Sequence, residues 1–445
     1  MIELSPEMVA ILMLGGLMVG VLSGFPLALP IGAVALIVGF LAFGSSVFDV
    51  IYMQAFGFLH NYVLLALPLF VFMGVALEIS GIADKLYEVL FLLLSRYRGG
   101  LAIATVLIGT VLAACVGMIT ASVTMLTSLS LGAMVKRGYD HSLACGAICA
   151  GGTLGILIPP SVMLVVYGPM ARISVGKLFM AAMLPGLMLS FLYVAYISLR
   201  CFFKPELAPL VPAEERAAIP LIKKVTLAFT ALVPPVFIIL AVLGTIFMGI
   251  APPTEAAAVG GVASLVLAAA HRRLNWSNLK KILLQSLNIS CMAMFIGAMS
   301  IAFTGVFLKA GAGGVVQAIV LATPGGRWGV FAVVMFIYFI LGFFIEWLGI
   351  FFIMVPILAP LAPILGFDPL WFGIMICINL QMSFLTPPYA FAIFVLRGVA
   401  PDELGVTTGE IIRGVIPYVG LILTGLGLCI AFPQIILWLP GMMIK

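Results

Sequence analysis

Gly151-Gly152-Thr153-Leu154-Gly155-Ile156-Leu157-Ile158-Pro159-Pro160 is apolar from end to end, yet it cannot be one continuous helix. Its two prolines remove two backbone donors and bar the residue before them from helical geometry, while the glycines loosen the approach. The stretch lies mid-segment between Asp140 and Arg172. At a fixed offset of 228 residues a second such string follows, Gln381-Met382-Ser383-Phe384-Leu385-Thr386-Pro387-Pro388. One isolated proline reads as a simple kink. Two matched Pro-Pro breaks read as places where freed carbonyls face a bound cation.

Working outward, the same register aligns Gly138-Tyr139-Asp140 with Gly366-Phe367-Asp368, and residues 101–171 with 329–399 throughout. Nearby, Arg96-Tyr97-Arg98-Gly99-Gly100 meets Pro324-Gly325-Gly326-Arg327-Trp328, and Gly24-Phe25-Pro26 falls near Pro252-Pro253-Thr254. The chain therefore reads as a duplicated unit. The expected organisation is a first repeat over 1–200, a cytoplasmic linker over 201–224 and a second repeat over 225–445. In the first repeat a hairpin covers 101–135 and a broken helix 141–171; in the second the hairpin covers 329–365 and the broken helix 369–397.

Composition supplies the solvent. Of 445 residues 64% are hydrophobic and 8% charged, far from the roughly 25% charged of a soluble domain. Apolar windows recur at 8–22, 27–43, 225–248 and 256–270, so the bilayer is the partner of most of the surface. The opening Met1–Glu7 lacks a basic region of the kind that starts a cleaved leader. The net charge of +5 comes from basic residues between apolar segments, which are topology signals rather than a nucleic-acid surface. Arg96, Arg98, Lys136 and Arg137 flank the first hairpin segment at both ends, which puts both ends on the cytoplasmic side. Its counterpart has only Arg327 and Asp368, pointing to the other side.

A threading with both termini outside, ten crossings and two re-entrant hairpins places sixteen Lys/Arg inside and five outside. The expected fold is therefore all-α and polytopic, with two inverted repeats, tips near 117–122 and 342–349, and interrupted helices. Such repeats mark secondary transporters, whose sites lie near the midplane. Two further segments, 83–95 and 313–322, are amphipathic and precede the hairpins, as arms or plain surface connectors.

The motifs Gly152-Thr153-Leu154-Gly155-Ile156-Leu157-Ile158-Pro159-Pro160-Ser161, Lys136-Arg137-Gly138-Tyr139-Asp140, Pro253-Thr254-Glu255-Ala256 and Leu385-Thr386-Pro387-Pro388 together resemble the large membrane subunit of the tripartite ATP-independent periplasmic (TRAP) transporters. That resemblance runs over nearly the whole chain. It implies an elevator-type transporter in the bacterial inner membrane, driven by sodium as its coupling ion and needing no cofactor. It also implies a small four-helix membrane subunit, a periplasmic substrate-binding protein and an organic-acid substrate. By position it places one sodium site at Gly117, Thr120, Ser122, Gly152, Gly155, Ile158 and Pro160. A second falls at Gly342, Glu346, Ser383, Thr386 and Tyr389, and substrate contacts fall at Thr153, Asn379 and Gln381. Ligands of this kind, carbonyls and hydroxyls, suit a hard cation. The chain departs from the family at the first tip, Cys115-Val116-Gly117-Met118-Ile119-Thr120-Ala121-Ser122, where a Ser-Gly-Ser-Ser run is usual. It departs again at Glu346-Trp347, where an aspartate is usual. An autonomous ion-coupled carboxylate carrier without a binding protein is the alternative.

Three carboxylates need separate weighing, since an ionisable group at mid-depth costs about 2.5–3.5 kcal/mol on insertion scales. Glu346 sits at a hairpin tip and reads as functional. Glu255 opens a helix after Pro253 and reads as a dipole complement, and Glu78 near a span end reads as reaching the interface. The seven cysteines form no CxxC pair and read as small hydrophobes. His60, His141 and His271 show no HxxxH spacing, and no nucleophile elbow or Walker motif is present. An enzyme is not expected.

Overall fold

The computed structural model describes residues 4–210 and 221–443, with no side-chain description for 113–116, 221–225 and 228. Residues 211–220 of the expected linker 201–224 therefore lie outside the described residues, as do 1–3 and 444–445. Every regular element among the described residues is helical.

The helices before the first break are α1 (Pro6–Leu22), α2 (Ala28–Phe43), α3 (Ser46–Leu59), α4 (Ala66–Ile79), α5 (Ile82–Leu94) and α6 (Gly100–Val116). Then come α7 (Ile119–Leu126), a π-helical turn over Thr127–Leu131, α8 (Gly132–Lys136), α9 (His141–Thr153), α10 (Val162–Ala171) and α11 (Val175–Phe203). The second part holds α12 (Leu221–Phe247), α13 (Pro253–Ala270), α14 (Trp276–Lys309), α15 (Ala312–Leu321) and α16 (Gly326–Leu341). It ends with α17 (Trp347–Leu358), α18 (Leu361–Ile364), α19 (Pro369–Ser383), α20 (Phe391–Val399), α21 (Thr408–Ala431) and α22 (Gln434–Gly441).

Eight helical stretches among the described residues are long and apolar enough to cross a bilayer. Helices such as α9 and α10, each too short alone, do not meet that length criterion, because an interrupted passage divides its apolar length across a break. The sequence assigned no element to 46–59, where α3 forms. Its Asp49, Gln54 and flanking His60 dilute the apolar window, while Tyr52, Met53 and Phe56 stay exposed.

Local chemistry explains the boundaries. Asp140 caps α9, its carboxylate accepting from Leu143 N at 2.8 Å. Asp368 caps α19 in the same way, accepting from Leu370 N at 2.8 Å and Trp371 N at 3.2 Å. Just before each cap a left-handed glycine (Gly138 at φ 74°, Gly366 at φ 72°) ends the preceding helix. The next amide closes each turn backwards, Tyr139 N on Met134 O at 3.1 Å and Phe367 N on Ala362 O at 2.9 Å. The aligned Gly-aromatic-Asp triplets thus do the same work. Glu255 lies exposed in the first turn of α13, where its charge complements the dipole without a side-chain cap bond.

Two groups of helices face one another. One comprises α1 to α4 with α13 and α14. Small residues let them approach: a Cβ built on Gly260 would come within 2.6 Å of Met73 Sδ, and one on Gly297 within 2.3 Å of the Phe58 ring. The other gathers α6 to α11 and α16 to α21. There α6 crosses α9 at Gly109, whose added Cβ would stand 2.7 Å from the Gly151 carbonyl oxygen. Helix α9 crosses α21 at Gly146 and Gly414 just as closely, where a Cβ added to Gly146 would stand 2.3 Å from the Gly414 oxygen. Helix α5, amphipathic with Ile82, Leu86, Val89 and Leu90 buried, lies between α6 and α12.

Candidate functional site

Four backbone interruptions supply the site. The first hairpin segment breaks at Gly117-Met118, between α6 and α7, and the second over 342–346, between α16 and α17. The helix 141–171 breaks over 154–161, starting with a 3-10 turn, and 369–397 breaks over 384–390. In both of the latter an amide just inside the break folds back, Leu157 N on Leu154 O at 3.0 Å and Leu385 N on Met382 O at 3.1 Å. Each Pro-Pro peptide is cis. Ala390 takes φ 40°, a left-handed conformation rare for a residue with a Cβ, where α20 begins.

Each tip packs on a break. Gly117 (φ 65°) lies so close to the first break that an added Cβ would meet Val162 N at 3.2 Å and Pro160 O at 3.7 Å. A Cβ on Gly342 would fall 2.0 Å from Ser383 Oγ, so the second tip sits directly on the second break. Gly152 presses on α7, where an added Cβ would meet Val123 N at 3.1 Å. Ile158 packs on α11 at Gly186, and Gly155 is buried beneath.

The oxygens at these junctions are distinctive. Ser122 is 1% exposed and its hydroxyl has no hydrogen-bond partner. Ser383 Oγ donates to Leu380 O at 2.7 Å and Thr386 Oγ1 to Met382 O at 2.9 Å, which commits their protons and leaves oxygen lone pairs free. Among the described residues no three His, Cys, Asp or Glu converge as transition-metal ligands. A carbonyl-and-hydroxyl environment is suited to a hard monovalent or alkaline-earth ion instead.

Where the two helix groups meet, a cavity of about 320 Å³ opens. Met118, Ile119, Thr120, Ala121 and Thr124 line it from the first tip, and Glu346, Trp347 and Leu348 from the second. Val162 and Phe391, the residues that restart the helix after each break, reach the same space. The opposite wall is Leu67, Val71 and Glu78 of α4 with Gln285, Ile289, Met292 and Ala293 of α14. The walls are mostly apolar, and among the described residues no lysine or arginine lines them. Tyr389 stacks on Phe391 at 5.8 Å between ring centroids, next to the cavity.

Of the residues singled out in the sequence, Thr120 and Glu346 line the cavity, while Gly117, Pro160, Gly342 and Ser383 form the tip-to-break contacts behind it. Thr153, Asn379 and Gln381 do not line it. Asn379 gives its amide to Met335 O at 2.7 Å, tying α19 to α16, and Thr153 and Gln381 are fully buried. Glu78 corrects the interface reading: it faces the cavity, and its Oε2 is buried without a partner. Neither Glu78 nor Gln285 stands in a motif. Only the packing of α4 and α14 against the tips makes them part of a site.

A polytopic membrane protein whose interrupted helices meet at a cavity between two helix groups is built as a transporter. The family model for the DctM component of tripartite ATP-independent periplasmic transporters matches residues 14–435, and the chain belongs to this family. It is 33% identical to a C4-dicarboxylate TRAP transporter large permease protein of Pseudomonas aeruginosa, over 86% of this chain and 87% of that one. It is 30% identical to an isethionate TRAP transporter permease protein (DctMQ) of Oleidesulfovibrio alaskensis, over 94% of this chain and 64% of that protein. In fold it is similar to the Alcanivorax borkumensis YdaH transporter, with a TM-score of 0.60, 16% identity and coverage of 87% of this chain and 89% of that chain.

Proposed function

We propose that this chain is the large permease of a sodium-driven importer that carries an organic acid across the bacterial inner membrane by an elevator movement. A small four-helix membrane subunit would accompany it, and a periplasmic binding protein would deliver the substrate. The observation that carries the reading is the cavity at which both tips, both breaks and two helices of the facing group meet. A substrate held there touches every element that would have to move and two that would stay. The matched Asp caps, left-handed glycines and Pro-Pro turns, all in the 228-residue register, support a duplicated architecture.

Sodium would bind behind each tip, at Gly117 with the carbonyls near Pro160, and at Gly342 with Ser383 and Thr386. Such ions would add the positive charge that the cavity walls lack, and the half-helix N-termini of α7 and α17 add more. With both termini outside, Glu78 and Gln285 fall in the cytoplasmic halves of α4 and α14. The cavity is then on the inner side and this conformation is inward-facing. The named relatives carry a C4-dicarboxylate and isethionate, both small organic anions, which supports that substrate class here. The longer isethionate relative, whose name joins components M and Q, supports a small-subunit partner.

Uptake into proteoliposomes tests the reading. The vesicles hold this chain with its small subunit and binding protein, and receive an organic-acid panel with and without an inward sodium gradient. Uptake requiring sodium and all three components is expected. Sodium-dependent uptake that persists without the binding protein would make the chain an autonomous carrier, and active uptake indifferent to sodium would remove the coupling sites.

A further inference from the structure

Thr153 and Gln381 occupy equivalent positions in the 228-residue register, and their side chains touch: Gln381 Nε2 donates to Thr153 Oγ1 at 3.4 Å. Two equivalent residues can meet only where the two halves abut around their common axis. Both side chains are fully buried. The chemistry of the contact is directional. The Thr153 hydroxyl proton is committed to Ala150 O at 3.0 Å, so its oxygen presents a lone pair to the Gln381 amide. The other end of that amide, Oε1, is buried with no partner among the described residues, so this one bond fixes which way the amide points.

On either side the pair runs into the two junctions. Thr153 ends α9 beside Gly152, which presses on Val123 of α7, the helix leaving the first tip. Gln381 stands two residues before Ser383, which is in contact with Gly342 at the second tip. The line Val123, Gly152, Thr153, Gln381, Ser383, Gly342 is continuous contact through otherwise apolar packing.

We infer that the Thr153–Gln381 hydrogen bond couples the two cation sites, so that filling one orders the other. This rests on the sodium reading above. Thr153 and Gln381 act here as positioning residues: neither lines the cavity, and they sit one and three residues from a break. An ion that fixes the first break holds the end of α9, which holds the Gln381 amide and with it the turn bearing Ser383. Coupling of this kind is reciprocal, and with two sites it raises the Hill coefficient above 1 toward a ceiling of about 2. Without the bond each site would fill alone.

The test is equilibrium binding of radioactive sodium to the purified chain with its small subunit, potassium serving as the background ion. Wild type is expected to bind cooperatively. Thr153→Val, which keeps shape and removes the acceptor, and Gln381→Leu are each expected to bring the Hill coefficient to about 1 with total sodium bound unchanged. Thr153→Ser keeps the hydroxyl and should keep the cooperativity, which a merely structural loss would not. The double variant should add nothing to either single one. Non-cooperative binding in wild type, or wild-type cooperativity in both Thr153→Val and Gln381→Leu, overturns the inference while leaving sodium coupling intact. Absence of specific sodium binding in wild type overturns the sodium reading and this inference with it.

Discussion

The two tip-and-break junctions have the same parts and opposite surroundings. The first break is dry: every residue from Leu154 to Ser161 is buried, and the polar side chains described at its tip are the hydroxyls of Thr120, Ser122 and Thr124. The second is open: Pro387 and Pro388 are exposed, Thr386 and Tyr389 half-buried, and its tip bears Glu346. Irregular backbone in a membrane needs partners for its freed polar groups. At the first junction the protein itself must supply them, as when Ser161 Oγ donates to Ile156 O. At the second, solvent or substrate can reach them. The first junction is therefore sealed by the protein, and the second lies open.

The largest expected effect breaks this contrast most directly. Pro387-Pro388→Ala-Ala lets the helix close through the second break, and sodium-driven uptake should fall to background while thermal stability in detergent stays near wild type. The same change at Pro159-Pro160 should cost stability first, because its surroundings are packed solid. Equal stability losses at both positions would end the distinction between a sealed and an open junction.

Next in size is crowding of the tips. Gly342→Val places methyl groups into Ser383, and a misplaced tip should cost about 100-fold in initial uptake rate. Gly109→Ala, whose Cβ would press on the Gly151 backbone, should instead destabilise the fold by about 1–3 kcal/mol, visible as a lower melting temperature.

Removal of the cavity's polar groups at the two tips comes third. Glu346→Gln is expected to slow uptake about tenfold or more, and Thr120→Val at the other tip less, in the same vesicle assay. If Thr120→Val proves the more damaging, the chemistry belongs to the first tip.

Accessibility sharpens the comparison without relying on transport. In a Cys291→Ser background, which removes an exposed native thiol, Tyr389→Cys should react with an aqueous maleimide and Ile158→Cys should not. The smallest effect lies outside both junctions. His141 Nδ1 stands 3.2 Å from Glu410 Oε1, joining the starts of α9 and α21 near the surface. A part-exposed pair of this kind contributes little, so Glu410→Gln should lower stability by less than about 1 kcal/mol. The capping contact with Thr407 survives this change, because a glutamine amide oxygen still accepts from Thr407 N.

How much was legible follows from the range of the forces involved. Pro159-Pro160 and Pro387-Pro388 forbid helix through their own covalent geometry, and the Gly-aromatic-Asp triplets set a helix stop and start within a few residues. Such local rules can be read directly. Gly342 was legible as a tip, but its contact with Ser383 was not, since 41 positions of chain must fold back to make it. Glu78 was read as a residue near a span end, because nothing in its own helix announces that α14 and two tips lie opposite. Helix α3 was missed because three polar residues weaken its apolar pattern without preventing helix formation beside α2 and α14.

By itself, then, the sequence determined residence in the bilayer, the family and the places where helices must break, because composition and proline act without reference to distant residues. The tertiary structure alone decided which of those breaks is sealed and which lies open. It also decided that Glu78 and Gln285 face the cavity and that Thr153 meets Gln381. Each of these depends on which helix surfaces pack together, and that is settled by the sum of many weak contacts rather than by any residue's own chemistry.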